Sequence, residues 1–167
     1  SRADQTRMMS IVTTGAETGY YVDVFRSRKE KGGDKMHDYF YHNLGQTLTL
    51  TAADGSDLNL QPTEELAFAG AHLYAYSYLY DKKVAATNKD VKATFTIDMK
   101  DKDGDDIYMN LWMKGEPDRE VFTALAPMTE GLSRTPNMPY NIKEQPTLTF
   151  VARQHGEAWN RPFVSIY

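Results

Sequence analysis

Between Lys92 and Lys114 the side chains alternate twice over. Ala93, Phe95, Ile97 and Met99 fall on one parity, and Lys92, Thr94, Thr96 and Asp98 on the other. After the charged stretch Lys100 to Asp105, with Gly104 near its end, Ile107, Met109, Leu111 and Met113 repeat the apolar row. A period of two is the period of a strand, so each run lays an apolar row toward a core and a polar row away from it. The charged, glycine-containing stretch between them reads as a hairpin loop.

The same reading extends along the chain. Met8 to Thr13, Thr18 to Arg28, Lys35 to Asn43, Gln46 to Ala52, His72 to Tyr80, Arg119 to Leu125, Thr147 to Arg153 and Pro162 to Tyr167 complete about ten short strands. In the second, Val22 and Val24 point one way and Asp23 and Phe25 the other; in the fourth, Leu48 and Leu50 point inward. Gly15, the pair Gly32-Gly33, Gly45 and Gly115 mark turns, and Ala53 to Thr63 and the proline-bearing Ala126 to Gln145 read as loops. Long helical periodicity and βαβ spacing are absent, so the expected fold is all-β. It is an antiparallel β-sandwich, supersandwich-like, with little helix and a single domain over residues 1–167.

Composition closes off several functions. Lysine plus arginine number 19 against 23 aspartate plus glutamate, a formal charge of -4, which offers no broad basic field for nucleic acid or a heavily sulfated polymer and leaves room only for a local basic patch. There is no cysteine, which removes disulfides, thiolate metal sites and cysteine nucleophiles. No apolar run approaches the roughly 18 residues that span a bilayer, and Ser1 to Ser10 has no signal-peptide core. The chain reads as a mature protein or as a fragment whose parent continues past the final strand. Eleven tyrosines suit half-buried sheet faces and also sugar contact.

Chemistry-bearing residues concentrate in a few places. His37, Asp38, Tyr39, Phe40, Tyr41 and His42 combine metal-ligating and acid-base side chains. On a strand, however, His37 shares a face with Tyr39 and Tyr41, whereas His42 lies opposite, about 13 Å from Asp38 along the chain. No joint ion site follows, and these four (His37, Tyr39, Tyr41, His42) are candidates for contact with a neighbouring domain. Asp98 to Asp106 resembles a calcium loop only superficially. Aligned on Gly104, position one falls on Met99 and position twelve on Asn110, so two ligands are missing. Tyr74, Tyr76, Tyr78 and Tyr80, extended by His72, would share one strand face and can either stack on sugar rings or pack against another domain. Tyr108 and Trp112 point away from the core of their strand and offer a sugar platform or an interface. Arg153 and Arg161, flanking the last turn, can pair with a uronate carboxylate or with nearby acids. No phosphate loop, dinucleotide fingerprint or serine elbow is present, and no metal or cofactor is called for.

Read together, these segments resemble the β-sandwich region of heparinase II/III-like polysaccharide lyases. The resemblance rests on Tyr20-Tyr21-Val22-Asp23-Val24-Phe25-Arg26, then Gly32-Gly33, His37-Asp38-Tyr39 and Tyr41-His42-Asn43. It continues through the strand, turn and strand of Tyr108 to Pro127. It ends with Val151-Ala152-Arg153-Gln154 and Pro162-Phe163-Val164-Ser165-Ile166-Tyr167. It implies a parent with an (α/α) toroid that cleaves uronate-containing polysaccharide by β-elimination, in which a base takes the C5 proton and an acid protonates the leaving oxygen. The family's catalytic and zinc-binding residues are expected upstream of this chain, so no catalytic or metal residue is carried over. The implied partner is the missing toroid of the same parent, with an acidic polysaccharide as a further partner and with neither nucleic acid nor membrane. The implied location is secreted or periplasmic.

Three functions follow in order of support. The first is an accessory sandwich that supports the toroid. The second is an independent carbohydrate-binding module using tyrosine or tryptophan platforms. The third is a lyase working from His37, Tyr39 or His42.

Overall fold

A computed structural model describes residues 2–66, 74–99, 104–129 and 145–167. Among the described residues eleven strands follow one another: β1 (Ala3–Thr13), β2 (Gly19–Lys29), β3 (Met36–Asn43), β4 (Thr47–Ala52), β5 (Gln61–Pro62), β6 (Tyr80–Ala86), β7 (Val91–Ile97), β8 (Ile107–Met113), β9 (Arg119–Ala126), β10 (Thr147–His155) and β11 (Ala158–Ile166). The one helical element among the described residues is a 3-10 turn, Tyr74–Tyr78. The strands form two antiparallel sheets. The first has the order β1-β2-β11-β8-β7-β4 and the second β3-β10-β9-β6-β5. The all-β sandwich expected from the alternation is the observed fold.

The two inner faces enclose one core. Phe95, Leu111, Met113, Ala93 and Phe163 from the first sheet meet Val121, Leu148, Phe150, Ala152 and Tyr39 from the second. Phe95, Phe150 and Phe163 are fully buried. Two glycines hold special geometry. Gly45, at φ 142°, lies so close to β7 that a Cβ would stand 2.4 Å from the Thr96 carbonyl oxygen. Gly156, at φ 80°, makes the turn by which the chain leaves β10 in one sheet and enters β11 in the other.

Several local expectations need correction. His72 to Tyr80 is not a strand: Tyr74–Tyr78 is the 3-10 turn and strand geometry begins at Tyr80. Alternating tyrosines imitated the strand period, but in a helix with three residues per turn residues two apart, such as Tyr76 and Tyr78, do not share a face; His72 lies outside the described residues. Strand β6 escaped notice because Asp81, Lys82 and Lys83 interrupt its alternation. Ile107, expected inward, is 53% exposed, because it stands at the start of β8, outside the core that half-buried Met109 packs against and Leu111 and Met113 fill. The last two strands are longer than the alternation suggested and leave only Gly156 and Glu157 between them. Of the loops at 100–105 and 126–145, residues 100–103 and 130–144 lie outside the described residues.

Candidate functional site

A buried polar cluster sits at the mouth of the sandwich, where β2, β3 and β11 meet. Asp23 points inward from β2 and is fully buried. Its carboxylate accepts Arg7 Nε at 3.0 Å and the Tyr39 hydroxyl at 2.8 Å, and Arg7 adds a 2.6 Å ion pair from its outer nitrogen. Tyr39 also touches the hydroxyls of Ser165 and Tyr167. A buried carboxylate is tolerated only when its lone pairs are filled, and here β1, β3 and β11 fill them. The cluster therefore ties four strands together. Burial pushes the Tyr39 phenol well above its ordinary value, and the ring is 3% exposed. Such a group cannot serve as a base toward a polymer at neutral pH, nor is it open to a neighbouring domain. Above it, Arg7, Met9, Tyr21, Tyr41, Met109 and Tyr167 line a shallow, largely apolar recess, which leaves Tyr41 near the surface.

His37 sits between Ser27 and Asp34, with Nδ1 2.8 Å from the Ser27 hydroxyl and Nε2 2.5 Å from the Asp34 carboxylate. The residue types are those of a hydrolytic triad, but Ser27 is 1% exposed and faces the core, out of reach of any substrate. His42 points the other way, as its strand parity required, and bonds Thr149 through Nδ1 at 2.9 Å. The two histidines share no ligand. Among the described residues no group of three His, Asp or Glu side chains stands close enough to hold a metal ion. The third sequence-based function, a lyase working from His37, Tyr39 or His42, thus finds no accessible catalytic arrangement on these residues.

The outer face of the second sheet carries a second small core. Phe122 and Val151 are fully buried there beneath Leu66, Leu79 and Tyr76. This cover is pinned by charge. Arg153 grips Asp38 through two 2.8 Å bonds and reaches Glu65 at 3.1 Å, while Tyr76 donates its hydroxyl to Asp38 at 2.6 Å and sets its ring edge-on to Phe40. Arg153 and Tyr76 are thus engaged in fastening a covering segment. Tyr78 remains 63% exposed.

At the β10–β11 turn, Arg161 pairs with Asp118 at 3.1 Å and His155 with Glu120 at 2.7 Å. Arg119 is 3% exposed. It lies over Phe163 and donates to the Gln154 side chain and to the Lys114 and Pro162 carbonyls. Burial, with a smaller push from the charge of Arg161 and against that of Glu116, pulls its guanidinium down to about 10.

The outer face of the first sheet is different. In an antiparallel sandwich the outward row is ordinarily polar. On β2 and β11 it is apolar: Val24 pairs with Met8 and Val164, and Val22 with Ile166, which in turn pairs with Trp112. Along this row Met8 is 55% exposed, and Val22, Val24, Val164 and Ile166 are half-buried. Across β8, β7 and β4 the same face turns polar, with Lys92 opposite Trp112, Thr94 opposite Asn110 and Thr96 opposite Tyr108. Tyr108 is 58% exposed. The alternation had placed Tyr108 and Trp112 outward, and so they are. It had placed Lys92 outward as well, but not beside Trp112, and it did not single out Asn110, which completes their surroundings. The missed signal lay in Val22, Val24, Val164 and Ile166, apolar residues on strands whose other parity is also buried, as in sheets covered on both sides.

No protein-family model matches the chain. The chain is 33% identical over its whole length to a stretch of the endo-acting ulvan lyase of Formosa agariphila. It spans 20% of that relative's length. The similarity covers every strand, and the chain is therefore a β-sandwich related to one region of a polysaccharide lyase.

Proposed function

We propose that this chain is a non-catalytic β-sandwich domain of a heparinase II/III-like polysaccharide lyase. It supports an (α/α) toroid of the same parent, which cleaves uronate-containing polysaccharide, of the ulvan class, outside the cytoplasm by β-elimination. The observation that carries this reading is the apolar outer row of the first sheet, Met8, Val22, Val24, Val164 and Ile166, in which Met8 is 55% exposed and the other four keep part of their surface. An exposed apolar sheet face of this kind marks an interaction surface. The occupant we assign to it is the toroid, because the related lyase is about five times as long as the matched stretch and His37, Tyr39 and His42 bring no accessible catalytic arrangement together.

The test has two parts. Incubated alone with ulvan, the chain should release no unsaturated uronate, read by ultraviolet absorbance. Mixed with the separately produced remainder of its parent, it should form a complex that Val24→Lys and Ile166→Lys disrupt while each variant keeps its fold. Product formation by the isolated chain, or a complex indifferent to both lysines, would overturn the reading.

A further inference from the structure

The geometry points to a binding platform for an acidic polysaccharide on the polar half of the first sheet's outer face, built by Trp112, Asn110 and Tyr108 of β8 and Lys92 and Thr94 of β7. It stands on observations separate from the docking of a toroid.

Strand parity sets Trp112, Asn110 and Tyr108 in one line on one face, spread over about 13 Å from first to last. That length suits a few consecutive sugar units of an extended chain. The flat C–H face of a pyranose is an apolar surface, and indole and phenol rings at a sheet surface stack on it. Between and beside the rings stand donors. Lys92 lies directly across from Trp112, in the position where cross-strand side chains touch. It forms no ion pair or hydrogen bond with any described residue, and it is exposed. Thr94 donates its hydroxyl to Asn110 Oδ1 at 2.9 Å. That bond orients the amide and leaves the Asn110 NH2 group, two donors, directed away from Thr94 and without an acceptor among the described residues. The platform thus presents an ammonium and an amide NH2 with no matching acceptors, a pattern that suits a ligand rich in acceptor oxygens.

Charge fixes the polarity of binding. At the Tyr108 end, Asp106 accepts the Tyr108 hydroxyl at 3.3 Å, and Asp98 lies near enough to raise that phenol's pKa together with Asp106. At the Trp112 end, Lys114 is paired with Glu116 at 2.5 Å, and the Asp90 carboxylate accepts the Gly115 N–H at 2.8 Å. Lys92 is the cation of this platform left without a carboxylate. A ligand's anionic group therefore sits by Trp112 and Lys92, and its neutral hydroxyls run toward Asn110 and Tyr108. Carboxylate and sulfate groups share this chemistry.

The experiment is affinity electrophoresis of the 167-residue chain in gels containing ulvan, with alginate as a carboxylate-only arm, carrageenan as a sulfate-only arm and a neutral β-glucan as control. Ulvan should retard the chain, at least one of the two acidic arms should do so and thereby name the anionic group, and the neutral glucan should not. Trp112→Ala should weaken retention at least tenfold. Tyr108→Ala, at an exposed position that tolerates truncation, should weaken it severalfold. Lys92→Gln should weaken it severalfold and flatten its dependence on salt. Absence of retention, equal retention by the neutral glucan, or retention unchanged in both aromatic variants would overturn the proposal. The docking reading is probed separately by Val24→Lys, which should leave retention by ulvan intact.

Discussion

Both sheets turn apolar residues outward, and the chain treats the two faces in opposite ways. On the second sheet, Phe122 and Val151 are fully buried because the polypeptide lays Leu66, Tyr76 and Leu79 over them. On the first, Val22, Val24, Val164 and Ile166 keep part of their surface, and Met8 is 55% exposed. The difference teaches that an outward apolar row in a sandwich calls for a cover, and that the cover need not come from nearby sequence. Where it does, it is fastened by polar groups: Arg153, Asp38, Glu65 and Tyr76 form a closed set of contacts across the segment boundary. No comparable fastening stands over the first sheet among the described residues.

The comparison can be broken at its strongest point first. Phe122→Ala removes a fully buried ring beneath the cover and should cost about 3–5 kcal/mol, read from urea midpoints. A loss near zero would mean that the cover contributes little. Next in size, Asp38→Ala leaves Arg153 buried with Glu65 as its remaining carboxylate. It should cost about 3 kcal/mol and speed amide exchange in residues 74–79 without affecting β2 and β11. Uniform acceleration across both sheets would contradict a local fastening.

The third effect is smaller and depends on pH. Burial, and then the Asp38 carboxylate, hold the Tyr76 phenol above its ordinary value. A phenol raised in the folded state contributes stability that is complete below its unfolded value of about 10 and is lost as pH rises through the folded value. The cover should therefore loosen in alkali, seen as exchange in residues 74–79 rising above pH of about 10. Tyr76→Phe should remove that pH dependence and cost about 1.5 kcal/mol at neutral pH. The bare face should respond to neither change.

How much of this was legible beforehand follows from which residues carried a simple pattern. Val91 to Ile97 and Ile107 to Met113 alternate because one face is buried and the other wet, and both were readable as strands. The first half of β1 was not, since an edge strand with both faces near solvent needs no apolar row, and Ala3 to Arg7 is mostly polar. The alternation puts Asp23 on the side of Phe25 without saying what would hold a carboxylate there; its partner Arg7, sixteen residues earlier, is brought beside it by the β1–β2 hairpin. Tyr74 to Tyr78 misled because spacing by two belongs to strands, whereas this segment is ordered by what it covers, Phe40 and Phe122. At the candidate platform, Trp112 and Tyr108 were legible as outward aromatics. Lys92 and Asn110 became part of it only through the β7–β8 register, which no local pattern encodes.

The finest test pairs one substitution across the two faces. Val→Thr preserves shape and strand preference and exchanges a methyl for a hydroxyl. At Val151, fully buried under the cover, the hydroxyl loses water and should cost about 1 kcal/mol or more. At Val24, which stays half-buried between its sheet neighbours Met8 and Val164, the hydroxyl keeps water and the change should stay within about 0.5 kcal/mol. Equal costs in the isolated chain would mean that Val24 is already covered, and the first sheet would then have no free face to offer a partner. Unequal costs that become equal once the remainder of the parent is added would place the missing cover on that face.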